Sequence, residues 1–438
     1  MTSWHEQHNR PGPDAEGGAA PRTVADAEAG IRFAVRWQSA EASHQDCYLT
    51  PRLDLRRDLL PPGLEAAALD EPAGHRARYR LPPGALVPEY RDQQLLAIDG
   101  GRFDRRVVAG RVIEPRGGRF YPTALLRGLA GAAADRAAFR VAPAALGPAS
   151  GQSLHADLNH PLAGRPLEIG LRIESLDSTG HRQGGGRRKL AGLITANGPG
   201  MQARWRGMPT DFFADAPFAR NDPRPDDQFY AKPRLVDHLD RTAIAEISAL
   251  YGRLIPARAR ILDLMASWHS HLPGELRPQA LVGLGMSAAE LRANSMLTGH
   301  VVQDLNQEPT LPFGDATFDA VVCTVSVEYL VKPFAVFREL ARVLRPGGLA
   351  AMTFSNRWFP PKAIRIWTEL HEFERLGLVL HYFLESGLYG DLNTWSLRGL
   401  PRPAGDTYAG RLALSDPVYA VWGRRIDPDA PPAVAPPA

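Results

Sequence analysis

Carboxylates that close apolar runs are the side chains of this chain best placed to do chemistry. Asp263 sits in the run Ile261-Leu262-Asp263-Leu264 and is followed by Met265, Ala266, Ser267 and Trp268. Asp304 and Leu305 come directly after a second short apolar run, and Ser326 comes after a third. An ionised carboxylate only accepts hydrogen bonds, so at a strand end it either receives a ligand's amino or hydroxyl group or caps the segment after it. Ser267 and Ser270 bring hydroxyls to the loop after Asp263. In the same loop His269 and His271 are spaced to share one face of an extended chain. Such a pair suits a metal, although no third ligand is fixed by spacing, and a histidine beside a cleft suits a general base near neutral pH. Glu328 and Tyr329, just behind Ser326, are as compatible with packing as with function.

These residues need elements to hold them. The stretch 311–356 reads as strand, helix and strand: an apolar run from Phe318 to Cys323, an amphipathic segment with Phe337, Leu340 and Leu344 on one face, then Arg345-Pro346-Gly347-Gly348 and a second apolar run. After Pro233 the apolar period turns helical, with Ile244, Ile247, Tyr251 and Leu254 on one stripe. Further strands are expected at 260–264, 280–284 and 300–303, a helix at 287–293, and an antiparallel edge pair at 379–384 and 418–423. Strands alternating with helices imply a doubly wound α/β sheet over 231–426, which binds ligands beyond the carboxyl ends of its strands. Residues 31–180 carry short strand-like runs separated by Asp99-Gly100-Gly101 and Arg116-Gly117-Gly118, with one helical piece near 123–131, which suggests a separate β-rich unit. The connecting segment 181–230 is rich in glycine, proline and aromatic residues. Its Phe212, Phe213, Phe218, Phe229 and Tyr230 are too many for a free linker, so it is expected to pack across both halves. Residues 1–30 and 427–438 read as tails without periodicity.

The segment 311–356 resembles the fourth-strand to fifth-strand portion of the small-molecule (type 11) S-adenosylmethionine-dependent methyltransferases. The resemblance implies a class I, Rossmann-like α/β fold and S-adenosylmethionine as cofactor. It implies cofactor-binding roles for Asp263, Met265, Ser267, Asp304, Leu305 and Ser326, with Asp304 facing the adenine amino group, and a small-molecule or protein methyl acceptor. Two departures accompany it. The family follows its first strand with a glycine-rich loop, where this chain has no glycine before Gly274. The family grips the ribose hydroxyls with an acid after its second strand, where this chain has Gly285. Losing one charged hydrogen-bond partner costs roughly 1.5–3 kcal/mol, a 10- to 100-fold weakening.

In the amino-terminal half, Asp157-Leu158-Asn159-His160-Pro161-Leu162-Ala163-Gly164 resembles the signature that opens the closing strand of the SlyD-like FKBP-type prolyl isomerases. Residues 99–104 and 121–128 are similar to that family's earlier turn and helix. The resemblance implies an α+β FKBP-like domain over 31–180, an aromatic bowl drawn from Tyr90, Phe103, Asp104 and Tyr121, and a peptide or protein ligand. Leu146 stands where the family carries a pocket tyrosine, which favours binding over catalysis. Three readings stay open: a methyltransferase with a modified cofactor loop, a methyltransferase-fold scaffold without catalysis, and a prolyl isomerase with that scaffold attached.

Composition narrows the class. A chain of 438 residues, 44% hydrophobic and 23% charged with net charge +3, is that of a globular protein of two or three domains. Its basic residues are arginine except for Lys189, Lys232, Lys332 and Lys362, and they form no basic block of the nucleic-acid-binding kind. Cys47 and Cys323 cannot build a disulfide framework, which fits a reducing cytoplasm. The first residues lack the apolar core of a secretory leader, and no apolar run approaches the ~20 residues of a membrane helix, so neither export nor a membrane is expected.

Overall fold

The computed structural model describes residues 22–23, 28–105, 107–108, 111–129, 137–143, 153–177 and 186–427. The amino-terminal strands are β1 (Glu28–Gln38), β2 (Ser43–Asp54), β3 (Arg76–Leu81), β4 (Leu95–Asp99), β5 (Val107–Val108), β6 (Arg111–Val112), β7 (Phe120–Pro122), β8 (Ala138–Val141), β9 (Ser153–Asp157) and β10 (Leu167–Asp177). Short helices α1 (Leu190–Thr195) and α2 (Asp226–Phe229) lead to α3 (Arg241–Leu254). The alternating part comes next as β11 (Arg260–Leu264), β12 (Ala280–Gly285), α4 (Ala288–Ala293), β13 (Gly299–Val302), β14 (Phe318–Thr324), α5 (Pro333–Val343) and β15 (Leu344–Phe354). It closes with α6 (Arg365–Glu369), α7 (Glu372–Ser386), β16 (Tyr389–Arg398) and β17 (Val418–Arg425).

Local sequence accounts for the α/β half. β14 is buried along nearly its whole length, as a strand covered on both faces must be. Pro333 at the first turn of α5 has its φ already set for a helix, and the helix buries Val336, Phe337, Leu340 and Ala341. Asp240 caps α3 by accepting from the Thr242 and Ala243 amides at 2.9 and 3.0 Å. β11 to β15 are mutually parallel, and β17 runs antiparallel between β15 and β16.

One expected strand is a helix. Residues 379–384 lie inside α7, whose start carries a capping box formed by His371 and Glu374 and whose end is Gly387 at φ 66°. The apolar run is continuous enough to suit either state, and the caps decide it. The second strand of the carboxyl-terminal pair is therefore β16, nearer the chain end.

That strand is not an edge. A single eleven-stranded sheet runs β13-β12-β11-β14-β15-β17-β16-β2-β1-β10-β3. β16 pairs in parallel with β2, from Asn393 opposite Ser43 to Arg398 opposite Tyr48. β2, β1, β10 and β3 then continue antiparallel. The joint is polar and saturated: Asp46 accepts from Trp37 Nε1 at 2.9 Å, Ser396 Oγ at 2.9 Å and Gln202 Nε2 at 3.2 Å. His44 Nδ1 lies 2.7 Å from Thr394 Oγ1, and burial holds its pKa down to about 3. Arg32 on β1 reaches Glu246 on α3 through two bonds of 3.0 and 2.6 Å. Cys47 and Leu49 share a core with Ile247, Leu250 and Trp395.

Residues 31–180 are thus divided between two sheets, where the sequence suggested one separate FKBP-like unit. β10, the strand behind the 157–164 signature, belongs to the large sheet between β1 and β3. β4, β9, β8 and β7 form a small sheet with its own core of Ile98, Phe103, Tyr121, Phe139 and Ala156. The expected helix near 123–131 is a single turn at Thr123–Leu125, with residues 130–131 outside the described residues. Leu146 also lies outside them. The aromatic connector packs across both halves as its composition suggested: Phe212 enters the α/β core, while Asp211 N donates to Gly117 O beside the small sheet.

Candidate active site

Strand order reverses between β11 and β14, the position at which open α/β sheets receive ligands. A cavity opens there, and Asp263, Met265, Ser267, Asp304, Leu305 and Ser326 all line it. Tyr230, Arg234 and His238 form an opposing wall with Phe359. The Arg234 guanidinium stacks on Phe229, Tyr230 and Phe359 at 4.6, 5.6 and 5.2 Å.

The loop after β11 holds its course without glycine. Met265 takes φ 55°, a left-handed conformation that costs a non-glycine residue about 1–2 kcal/mol. Ala266 N then donates to Leu284 O at 2.8 Å, extending the β11–β12 ladder. Side chains pin the next residues. Ser267 Oγ donates to Glu290 Oε2 at 2.6 Å, and Asn294 Nδ2 donates to Ser267 O and Ser270 Oγ at 3.0 and 2.9 Å. Trp268 Nε1 donates to Val236 O at 3.1 Å, and His269 Nδ1 lies 3.5 Å from Asp237 Oδ1. The hydroxyls of Ser267 and Ser270, expected as polar contacts for a ligand, are spent on holding the loop.

The same course explains the glycine after β12. A Cβ on Gly285 would lie 2.2 Å from Ala266 O, so no side chain fits there. The loop course taken by Ala266 thus requires glycine at 285.

Burial sets the charges. Asp263 is 3% exposed, and burial pushes its pKa up to about 7 against the Ser270 hydroxyl. Its Oδ2 has no hydrogen-bond partner. Burial holds His271 down to about 3, helped by repulsion from His269 and His238, and its Nδ1 is also without a partner. Both residues line the cavity. Glu328, pushed up to about 8 by burial, carries a partnerless Oε2 too, but it is not part of the cavity lining. Asp304 accepts from Asn306 N at 2.9 Å and Gln307 Nε2 at 3.0 Å, so it caps its own turn while facing the cavity. Ser326 Oγ donates to Thr324 O at 2.9 Å. Among the described residues no group of three or more His, Cys, Asp or Glu side chains is arranged to hold a metal.

Sequence reasoning missed the brace behind the wall. Asn306 Nδ2 donates to Asp226 Oδ2 at 2.9 Å and Tyr329 O at 3.0 Å. Asp226 also accepts from Arg220 at 2.7 Å and lies 3.1 Å from the buried Lys362 ammonium. Burial opposes its ionisation, but the bonds from Arg220, Asn306 and Lys362 prevail and hold the carboxyl below its ordinary range. Lys362 is one of only four lysines in the chain, and a rare residue type amid apolar neighbours was the available signal.

The four residues expected to form an aromatic bowl each have their own contacts. Phe103 and Tyr121 are core residues of the small sheet, 2% and 6% exposed, with rings 5.3 Å apart edge to face. Asp104 accepts from Arg127 at 3.0 Å, and the Tyr90 hydroxyl lies 3.4 Å from Asp157.

Residues 271–352 match the family model described as Methyltransferase domain. This chain carries a methyltransferase domain. Its strand order is the class I arrangement. Solved structures similar to part of the chain include the YcgJ protein from Bacillus subtilis, at 16% identity over 42% of this chain and 99% of that one, with a TM-score of 0.30. An S-adenosylmethionine-dependent methyltransferase from Mesorhizobium loti shows 16% identity over 40% and 96%, with a TM-score of 0.29. A further one from Aquifex aeolicus shows 14% over 42% and 93%, with a TM-score of 0.30. No curated protein matches the chain at a significant level. Among the described residues no helix is long and apolar enough to cross a membrane.

The methyltransferase domain's residues fit the cofactor at two of the three contacts its family uses. Asp263 offers an unpartnered buried carboxylate oxygen, suited to the cation of the methionine end. Asp304 lines the same cavity, where its carboxylate suits an amino group. The ribose contact at 285 is closed by the packing of Ala266.

Proposed function

We propose that this protein is an S-adenosylmethionine-dependent methyltransferase, with its acceptor, a small molecule or a protein, entering between the strand ends and the wall built by Tyr230, Arg234 and His238. The observation that carries the reading is the buried Asp263 with one unpartnered oxygen at the switch point of the sheet. When bound, S-adenosylmethionine supplies a methyl group on a sulfonium, open to direct displacement. The chain supplies binding, order and exclusion of water. Asp263 holds the ammonium end and Asp304 the adenine end, and the pinned loop fixes the floor between them. His271 is neutral at physiological pH and accepts a hydrogen bond, but with a pKa of about 3 it is too weak a base to keep a proton. The amino-terminal region would bind and present the acceptor.

Calorimetric titration with S-adenosylhomocysteine tests this reading. Binding should be weak but measurable, and Asp304→Ala should lower it about ten-fold. The ionised form of Asp263 is the one that holds a cation, so affinity should rise between about pH 6 and pH 8, and Asp263→Asn should abolish that rise. Absence of heat at millimolar ligand would sink the enzyme and leave a scaffold.

A further inference from the structure

A second cavity, of about 390 Å³, opens beside the small sheet, between the turn 159–165 and the segment 204–206. Arg140, on β8, lines it and is 6% exposed. Its Nη2 donates to Ala203 O at 2.9 Å and Met201 O at 3.4 Å, and its face covers the Phe120 ring at 4.1 Å. Its Nε has no partner, and no carboxylate among the described residues lies within ion-pair distance. A buried cation without a counter-charge is costly to keep. Burial holds its pKa down to about 10 in spite of the more distant attraction of Glu374 and Asp157, and Arg165 adds a smaller repulsion.

The rest of the lining has the same sign. Arg204 is half-buried and makes no hydrogen bond or ion pair with the described residues. Arg206 is the better-held member, with its guanidinium 4.8 Å from Trp205 and 5.2 Å from Tyr90. Four arginines line the cavity with one acid, Asp157. Arg206 lies 3.8 Å from Asp92, and Arg165 donates to Gln38 O at 3.0 Å over the Trp37 ring, whereas neither Arg140 nor Arg204 makes an ion pair among the described residues. Asp157 is already saturated by neutral donors, from Trp205 Nε1 at 2.7 Å and from the Asn159 amide and side chain at 2.9 and 2.8 Å. Phe120 and Trp205 add an apolar surface beside the cations.

The geometry points to a binding site for a small organic anion, a carboxylate or phosphate carrying a flat apolar group, received by Arg140 and Arg204 with its ring against Phe120 and Trp205. This site is separate from the methyltransferase cavity and does not depend on its assignment. It is tested on the full chain by calorimetry with phenyl phosphate, benzoate, inorganic phosphate and the neutral isostere benzamide. Phenyl phosphate and benzoate should bind at millimolar or tighter, with benzamide weaker by about ten-fold or more. Arg204→Ala, at a half-buried position without partners, should weaken both anions about ten- to a hundred-fold and leave S-adenosylhomocysteine binding unchanged. Arg140→Met should remove the anion preference altogether. Equal affinity for benzoate and benzamide, undiminished binding in Arg204→Ala, or no heat with either organic anion would overturn the site. Inorganic phosphate binding as tightly as phenyl phosphate would overturn its apolar half.

Discussion

Asp46 and Asp263 are both buried carboxylates, one at the joint between β2 and β16 and the other at the floor of the cofactor cavity, and they differ in what reaches them. Asp46 is met by donors from three separate segments, through Trp37, Ser396 and Gln202. Among the described residues Asp263 is met only by Ser270, and it keeps one buried oxygen without a partner while the residue lines a cavity. Burial raises the pKa of both. The protein has completed the first site with its own atoms and left the second for something else. Glu328 is also incomplete but is absent from the cavity lining. An orphaned atom marks a ligand site only where a ligand can arrive.

The comparison breaks most decisively if the joint is dispensable. Deleting residues 1–185 strips β16 of its partner strand and opens the core that Cys47 and Leu49 share with α3. The remainder should show no cooperative unfolding by circular dichroism; a soluble fragment melting like the parent would show that Asp46 holds nothing essential. Next in size, Asp46→Ala should lower stability by roughly 2–4 kcal/mol, because three donors lose their acceptor. A urea midpoint shifted at constant slope would measure it.

Restoring the family's acid is the third test. Gly285→Asp should not tighten S-adenosylhomocysteine binding, and it should cost about 1–3 kcal/mol through the collision with Ala266 O. Improved binding without loss of stability would mean that the loop moves aside.

The smallest effect concerns the sign of a pH dependence. The folded pKa of Asp263 lies at about 7, above its ordinary 3.8. The folded state therefore binds the proton more tightly, and its advantage is full at acid pH. It is lost as pH rises through about 7. Asp263→Asn should flatten that decline and leave the variant more stable than the parent by about 1–2 kcal/mol near pH 8. A saturating ligand cation should erase the difference for Asp263 but not for Glu328.

Local features were the ones legible in the sequence. The β14–α5–β15 segment is legible because its apolar runs, Pro333 and the Arg-Pro-Gly-Gly turn all lie within about four dozen residues. The grouping of Asp263, Asp304 and Ser326 was implied by the family resemblance, and all three line one cavity. The helix over 379–384 was misread because a continuous apolar run has no period of its own, and its caps lie outside it. The β2–β16 pairing was invisible, since nothing in either strand names a partner so far along the chain. Phe103 and Tyr121 looked like a bowl because aromatic side chains line pockets and fill cores alike.

The pairing of β2 with β16 also fixes an order in time. β2 ends at Asp54, and its partner begins only at Tyr389. At roughly 5–20 residues per second, synthesis separates the two by about 15–70 s. Throughout that interval one side of β2 carries unpaired amide and carbonyl groups, although β1 can cover the other. The last seam to close in this molecule is therefore in the middle of its sheet, and a nascent chain stalled before β16 would present an open strand to any passing copy of itself.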